Sequence, residues 1–249
     1  MAGIIFLLLP VPIVLIASVD SGSTLSFPPR SVSMRWYANV FVEREWLTAL
    51  INSVKFATVS AILAGILGAF GAYGTKHLTG RKKRLAIAAV IFPAVLPAVV
   101  IGVASLLFFS QIGLLNTDAS IIISHTVLSL PVTFLVILSS ASKYALDLED
   151  VACAMGASRL YAISRVTVPA LLPSIISATC LAFIISFDEA VVALFLTGRD
   201  TTTLPRKIFD GLRYDLDPTA AAVAGFLIVL WIILSLAAFF VWSKVRVNK

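Results

Sequence analysis

Two adjacent acidic residues, Asp188 and Glu189, stand inside the apolar run CLAFIISFDEAVVALFL. A charged side chain deep in a membrane segment is costly, so such acids usually face a cavity or a partner. Lining a path for a cationic solute is one role they can have. The alternative is structural: one acid pairs with a basic residue of another helix or caps a break in its own helix. Adjacent residues point about 100° apart around a helix, so both cannot face one narrow path equally.

Motifs for catalysis do not accompany these acids. The sequence contains no G-x-x-x-x-G-K-[ST] phosphate-binding loop, no nucleophile elbow and no zinc-binding helix motif. Its two cysteines, Cys153 and Cys180, lack metal-type spacing and form no disulfide framework. We therefore expect this chain to bind no cofactor and to hydrolyse no ATP, and a membrane-embedded enzyme is disfavoured. Energy for uphill transport would have to come from another subunit.

The composition predicts a membrane protein. Of the 249 residues, 59% are hydrophobic and 13% are charged, whereas soluble domains have about a quarter charged residues. We expect an all-α, polytopic fold that forms one transmembrane domain over residues 1–249. A membrane-spanning helix needs ~20 mostly apolar residues. Six stretches qualify, at about 2–19, 47–73, 85–110, 119–141, 173–197 and 219–242. We favour a retained first helix over a signal peptide, because no basic residue precedes it.

Basic residues predict the orientation, because Lys and Arg are enriched in cytoplasmic loops. With six spans, the loops on one side and both termini together hold 11 of the 19 Lys and Arg residues, including the cluster in 74–84. The opposite loops hold 7 of them. Both termini and the connection 142–172 are therefore expected in the cytoplasm. The net charge of +6 is then an orientation signal and does not indicate nucleic-acid binding.

The connection between the fourth and fifth spans contains LEDVACAMGASRLYAISRVTVPALLP. Asp147 can cap a first helix, Gly156 can end it, and Ser158 can cap a second helix that runs to about Val166. Val168 precedes a proline, which argues against a helix that continues through this point. Helices that lie on lipid usually carry many basic residues. This segment has acids and small residues instead, so its pattern favours docking to a partner protein.

The same segment resembles the EAA loop of ABC importer permeases, whose pattern is E-A-A, three residues, G, nine residues and I-x-L-P. Aligned on Gly156, the segment has D-V-A and V-T-V-P at the conserved positions, so the charge and apolar character are kept. In that family the loop forms a coupling helix that sits in a cleft of the cytosolic ATPase subunit. The resemblance implies an ATPase-docking set of Glu149, Asp150, Val151, Ala152, Gly156, Ala157 and Pro169.

The resemblance covers nearly the whole chain and is strongest to permease subunits of spermidine/putrescine importers. The stretches that carry it are ISHTVLSLPVTFLVIL, SFDEAVVALFLTG and TTTLPRKIFDGLRYDLDPTAAAVA. It implies a multi-pass subunit of the bacterial inner membrane that imports polyamines or related small cations, with Asp188 and Glu189 on the substrate path. Its implied partners are a second, homologous permease, two cytosolic ATPase subunits that bind ATP and Mg, and an extracytoplasmic solute-binding protein.

Two alternatives to a polyamine importer stay open at this point. The first is an ABC permease for another small solute, such as an amino acid, an opine or thiamine. The second is an ion-coupled secondary transporter that uses its own acids, which would leave the connection at 142–172 without a role.

Overall fold

Helices make up most of the chain that the structure describes. The computed structural model describes residues 6, 9–29, 31–141 and 146–247, and these ranges hold no β-strand, only an isolated bridge between Asp20 and Val32. The all-α fold class is therefore confirmed. The helices are α1 (Pro10–Ala17), α2 (Arg35–Val42), α3 (Arg44–Gly74), α4 (Gly80–Val95), α5 (Ala98–Gln111), α6 (Asp118–Ser140), α7 (Leu146–Ala154), α8 (Arg159–Ala162), α9 (Val168–Phe187), α10 (Val191–Leu196), α11 (Leu204–Asp210) and α12 (Pro218–Val247).

Three continuous helical segments are long and apolar enough to cross a membrane: Arg44–His77, Asp118–Ser140 and Arg159–Phe187. Helices α4 and α5 make a fourth crossing if the bent pair is counted as one span. Helix α12 contains the predicted sixth span, and α1 covers only part of the first. Residues 1–5, 7 and 8 lie outside the described residues, as do residues 142–145 of the predicted cytoplasmic connection. The count of six spans therefore stays a prediction.

The predicted span at 85–110 consists of two helices with a sharp bend between them. Helices α4 and α5 meet at an angle of 97°. The break lies at Leu96 and Pro97, where Leu96 is extended with ψ 139°. A proline forces its predecessor out of the helical region and lacks the N–H that would continue the ladder. Pro93 stays inside α4, so the second proline makes the bend.

The predicted helix break before Pro169 is wrong, because helical structure continues through this residue. A π-helical turn at Ile163–Thr167 joins α8 to α9, so helical structure runs from Arg159 to Phe187. Pro169 lies in the first turn of α9, where its missing N–H needs no partner. The fifth span consequently begins before Pro173, and its regular part ends ten residues earlier than the predicted end at 197.

The chain divides into two compact units, Met1–Leu50 with Arg206–Lys249 and Ile51–Pro205. In the first unit, α12 packs against α1 and α2. Next to α1, the Ser18 hydroxyl lies 2.6 Å from the hydroxyl of Tyr37 on α2. The expectation of one transmembrane domain over the whole chain stays a prediction.

Helix α6 lies at the centre of the second unit, where it packs against α4, α5, α9 and α10. Two clusters of buried apolar side chains surround it. One joins Phe134 and Ile137 of α6 to Ala72 and Ala178, and the other joins Ile121 of α6 to Phe56, Ile101, Phe109, Val192 and Leu196.

Glycines at intervals of three allow α3 to approach its neighbours closely. A Cβ at Gly68 would lie 2.8 Å from Thr133 Oγ1 and 3.1 Å from the backbone nitrogen of Phe134. A Cβ at Gly71 would lie 3.2 Å from the Phe134 ring. Thr133 Oγ1 also donates a hydrogen bond of 3.0 Å to the carbonyl of Ala64, which joins the two helices. Small residues at such interfaces are a common feature of membrane helix packing.

We expect the Gly68→Ala substitution to lower the stability of the second unit by roughly 1–3 kcal/mol, because the new methyl group meets backbone that cannot move aside. Thermal unfolding of the purified protein in detergent measures this change. Gly74→Ala is the matched control, since a Cβ at Gly74 has no atom within 4 Å. Equal melting temperatures for the two variants would contradict the packing described for α3.

Candidate functional site

The segment from α7 to α8 forms a helix–turn–helix in which Gly156 ends the first helix. Gly156 has φ +96°, which side chains with a Cβ rarely adopt. Its N–H donates to the carbonyl of Cys153, and the next N–H, from Ala157, donates to the carbonyl of Ala152, both at 3.0 Å. These two bonds are the paired contacts of a Schellman C-cap. The predicted helix stop is thus present, while α7 begins at Leu146, one residue before its predicted cap.

Ser158 caps the second helix, as predicted. Its Oγ accepts a hydrogen bond of 3.4 Å from the N–H of Tyr161. The turn therefore has a residue with the required chemistry at each of its two ends: a glycine for the backbone reversal and a serine for the free amides of α8.

Glu149 of α7 is the most buried acid of this segment, with its side chain 1% exposed. Its Oε1 accepts a hydrogen bond of 3.0 Å from the hydroxyl of Tyr73 on α3. Its Oε2 accepts a hydrogen bond of 2.7 Å from Thr167 Oγ1, in the residue directly before α9. The ammonium group of Lys76 lies 3.4 Å from Oε1. One carboxylate thus joins α7 to the ends of two long helices.

The environment of Glu149 favours its ionised form. Burial alone would raise the pKa of this carboxyl, but the hydrogen bonds from Thr167 and Tyr73 and the positive charge of Lys76 outweigh that effect. The net result is a pKa below the ordinary value for Glu. The side chain is therefore a carboxylate at neutral pH, and it accepts hydrogen bonds with both oxygens.

A second layer of charges surrounds this carboxylate. Lys76 makes an ion pair of 2.7 Å with Asp150, whose side chain is 70% exposed. Arg159 Nε lies 3.8 Å from Glu149 Oε1, and Arg159 Nη2 lies 2.9 Å from Nε2 of His77. An open cleft of roughly 610 Å³ runs past these groups, and it is lined by Lys76, His77, Glu149, Asp150, Cys153, Ala157 and Arg159. Among the described residues no cluster of His, Cys, Asp or Glu is arranged to hold a metal ion.

Apolar side chains cover the opposite, outward side of the helix–turn–helix. Their exposed fractions are 55% for Val151, 85% for Met155 and 78% for Leu160. Leu148 and Tyr161 are exposed beside them. We refer to these five residues as the apolar patch. Exposed apolar surface of this kind on a polar segment is typical of an interaction site.

The structure divides the predicted ATPase-docking residues into two groups. The side chain of Glu149 points into the protein, and Ala152 and Ala157 are half-buried. Asp150, Val151, Gly156 and Pro169 are exposed, with Pro169 in the first turn of α9. The docking role of the set stays a prediction. Sequence analysis missed Tyr73, Lys76 and Thr167, because no local pattern links positions so far apart in the chain.

The other predicted site lies at the far end of α9, which has 20 residues and so is about 30 Å long. Helical structure breaks at residues 188–190, between α9 and α10. Glu189 Oε1 accepts a hydrogen bond of 2.8 Å from the N–H of Val192, so this acid caps α10. Asp188 is exposed at the C-cap of α9. The cap is one of the structural roles predicted for these acids, and their role on a substrate path stays a prediction.

His125 lies near this break and has a structural partner. It is buried on α6, and its Nδ1 is 2.8 Å from Ser186 Oγ on α9. This hydrogen bond joins two helices that pack along much of their length.

We expect Gly156→Ala to loosen the turn after α7, because a residue with a Cβ in a left-handed conformation costs roughly 1–2 kcal/mol. Hydrogen exchange at the amides of residues 156 and 157 should quicken by about 5- to 30-fold. Gly74→Ala is the control, since Gly74 has φ −59° and equal space for a methyl group. Unchanged exchange in the Gly156 variant would show that the turn does not depend on its positive φ.

Comparison with known proteins connects this geometry to a family. Residues 61–249 match the family model described as binding-protein-dependent transport system inner membrane component. The spermidine/putrescine transport system permease protein PotC of Haemophilus influenzae is 27% identical over 226 residues, which cover 90% of this chain and 87% of that protein. The molybdenum transport system permease protein ModB of Mycobacterium tuberculosis is 33% identical over 198 residues, which cover 74% of each.

A solved structure has the same fold. It is a bacterial ABC transporter involved in the import of the acidic polysaccharide alginate, with a TM-score of 0.69 and 18% sequence identity. The match covers 93% of this chain and 91% of that chain. Because the family model spans most of its residues, the chain belongs to the inner-membrane permease components of binding-protein-dependent ABC importers.

Proposed function

We propose that this permease transmits ATP-driven motion through the α7–α8 segment and imports polyamines or related small cations. The first part rests on the apolar patch. Its residues lie on the α7–α8 segment, which connects the long helices α6 and α9 and has a sequence that resembles an EAA loop. The observation that carries the second is the pair of acids at the break between α9 and α10. The two sites lie at opposite ends of the same helix.

The apolar patch suits a partner protein more than it suits lipid. Met155 and Leu160 lie on either side of the Gly156 turn, and both side chains are exposed near the turn of the helix–turn–helix. The same segment carries the exposed acids Asp147 and Asp150, and acids are disfavoured next to an anionic membrane surface. In the proposed complex, two cytosolic ATPase subunits bind ATP and Mg, and each receives one such hairpin in a cleft. This chain has no phosphate-binding motif of its own.

We expect Met155→Asp to weaken ATPase binding, because a buried apolar contact at the centre of an interface is commonly worth 2 kcal/mol or more, about 30-fold in affinity. Co-purification of the ATPase subunit with tagged permease measures the effect. Thr79→Asp adds the same charge on an exposed residue outside the patch and should leave binding unchanged. If both variants retain the ATPase equally, the patch is not the docking surface.

The solute is proposed from charge. Carboxylates at a helix break can meet the ammonium groups of a polyamine, and hydrogen bonds between charged groups are stronger than neutral ones. The similarity to PotC supports a cationic solute, whereas the similarity to ModB shows that related permeases handle other solutes. Amino acids, opines and thiamine remain alternatives for the solute. An ion-coupled secondary transporter is disfavoured, because the family of this chain depends on binding proteins.

The remaining partners and the orientation follow the same proposal. A second permease, homologous to this one, would enclose the other half of the path. An extracytoplasmic binding protein would deliver solute to the outer loops, and both termini would lie in the cytoplasm of a bacterial cell. Two hydrogen bonds that hold the loop directly before α11 support this picture: Asn52 Nδ2 donates to the carbonyls of Asp200 and Thr202 at 2.9 and 3.1 Å. Such a loop presents a fixed surface to a partner.

We expect Asp188→Asn to raise the KM for spermidine uptake by about tenfold, because a charged hydrogen bond is worth about 1.5–3 kcal/mol. Glu189→Gln keeps an oxygen that can accept from Val192, so it separates charge from capping, whereas Glu189→Ala removes both. Uptake of spermidine into proteoliposomes with the complete importer measures these effects. Unchanged uptake by Asp188→Asn and Glu189→Gln at normal assembly would remove both carboxylates from the path.

The solute itself is best identified on the binding protein that co-purifies with this permease. Calorimetric titration with spermidine, putrescine, molybdate and an alginate oligosaccharide compares two cations with an anion and an acidic sugar. Tight binding of a polyamine would support the proposal. Selective binding of molybdate or alginate would end it.

A further inference from the structure

We propose that Glu149 is a positioning residue that fastens α7 to the adjacent ends of α3 and α9, so that displacement of α7 moves both helices together. This inference rests on the proposed function, since it concerns how the docking segment passes motion to the rest of the permease. It assigns to Glu149 a task inside this chain, where the resemblance to the EAA loop implies a contact with the ATPase.

The first argument is the division of the carboxylate between two helices. Oε1 faces the end of α3, with the Tyr73 hydroxyl at 3.0 Å and the Lys76 ammonium at 3.4 Å. Oε2 faces the start of α9, with Thr167 Oγ1 at 2.7 Å. A rigid, planar carboxylate that is bonded on both sides fixes the separation of the two helix ends as well as the position of α7.

The second argument is that no side chain described in α7 is a comparable apolar anchor. Among these side chains, Glu149 is the only buried one, while Ala152 and Cys153 are half-buried. Leu148 and Val151, the larger apolar residues of this described set, are 50% and 55% exposed and belong to the apolar patch. The polar contacts of Glu149 therefore hold one side of α7, and the apolar side chains on its other side remain accessible to a partner.

The third argument concerns what the two fastened helices do beyond this point. Gly65 of α3 lies directly against Thr179 of α9, so the helices are also in contact further along. Helix α9 continues to Phe187, next to the acids at the 188–190 break. A helix is stiff along its axis, so a displacement imposed at Thr167 reaches the far end of α9. Glu149 thus stands where motion of α7 enters this helix pair.

A distance measurement tests the fastening directly. Spin labels at Asp147→Cys on α7 and Gly74→Cys at the end of α3 report their separation in the assembled importer, with Cys153 and Cys180 replaced by Ala. Both label sites are exposed, and Gly74 has space for a side chain. We expect one narrow distance distribution that stays the same in the nucleotide-free and the ATP–vanadate-trapped states. Glu149→Gln should broaden it or make it change between these states.

An activity measurement tests the consequence in the same preparations. In Glu149→Gln we expect the ATPase subunits to stay bound and ATP hydrolysis to continue, while the number of spermidine molecules transported per ATP falls by roughly tenfold, as for a lost coupling of 1–2 kcal/mol. Tyr73→Phe and Thr167→Val each remove one side of the contact and should give smaller losses. These two variants also carry the test if Glu149→Gln does not assemble. Glu149→Asp, which keeps the charge, should restore part of the coupling.

Ser164→Ala is the matched control, because Ser164 is exposed shortly after α8. Among the described residues, its Oγ bonds only to the carbonyl of Tyr161, at 3.1 Å. The inference is overturned if Glu149→Gln leaves the distance distribution unchanged, or if its main effect is loss of the ATPase subunit from the complex. A wild-type importer that retains no ATPase subunit at all would instead contradict the proposed function, so the two failures are distinguishable.

Discussion

The contacts of the buried Glu149 carboxylate hold the α7–α8 segment in place. A charge that is removed from water needs full compensation, and here two hydroxyl groups and an ammonium group from other helical segments provide it. The compensation fixes more than the charge. Tyr73, Lys76 and Thr167 must all reach the carboxylate of Glu149. This requirement positions the ends of α3 and α9 relative to α7. The exposed apolar patch can exist because this polar contact holds the opposite side of α7.

Two breaks interrupt the helices of the second unit. A helix that stops within a membrane segment leaves backbone groups that need partners, and such stops are tolerated where protein or a cavity surrounds them. At residues 188–190 the carboxylate of Glu189 satisfies the N–H of Val192. At Leu96 and Pro97 the chain turns by 97° because proline cannot continue the ladder. Each break separates two helices of an apolar stretch of the sequence.

The sequence was informative wherever the determinant is local. Gly156 and Ser158 sit at the predicted ends of the turn because positive φ and helix capping are properties of single residues and their neighbours. Prolines were harder to interpret. Pro97 breaks its helix and Pro169 begins one, since the outcome depends on which neighbours can satisfy the freed backbone groups. The partners of Glu149 could not be predicted from the sequence, because Tyr73 is 76 positions away and the hydropathy pattern does not indicate that the two side chains meet.

The same reasoning explains why the family is easier to recognise than the solute. In the proposed complex the α7–α8 segment meets an ATPase, whose task does not depend on the cargo, and its acid, small residues and glycine form a local pattern that can be read from the sequence. The solute meets only a few side chains along its path, and one carboxylate can serve equally as a helix cap or as a counter-charge. Glu189 already has a backbone partner, whereas Asp188 is exposed at the end of α9. Of the two acids, Asp188 is therefore the one whose charge the fold leaves available to a cation.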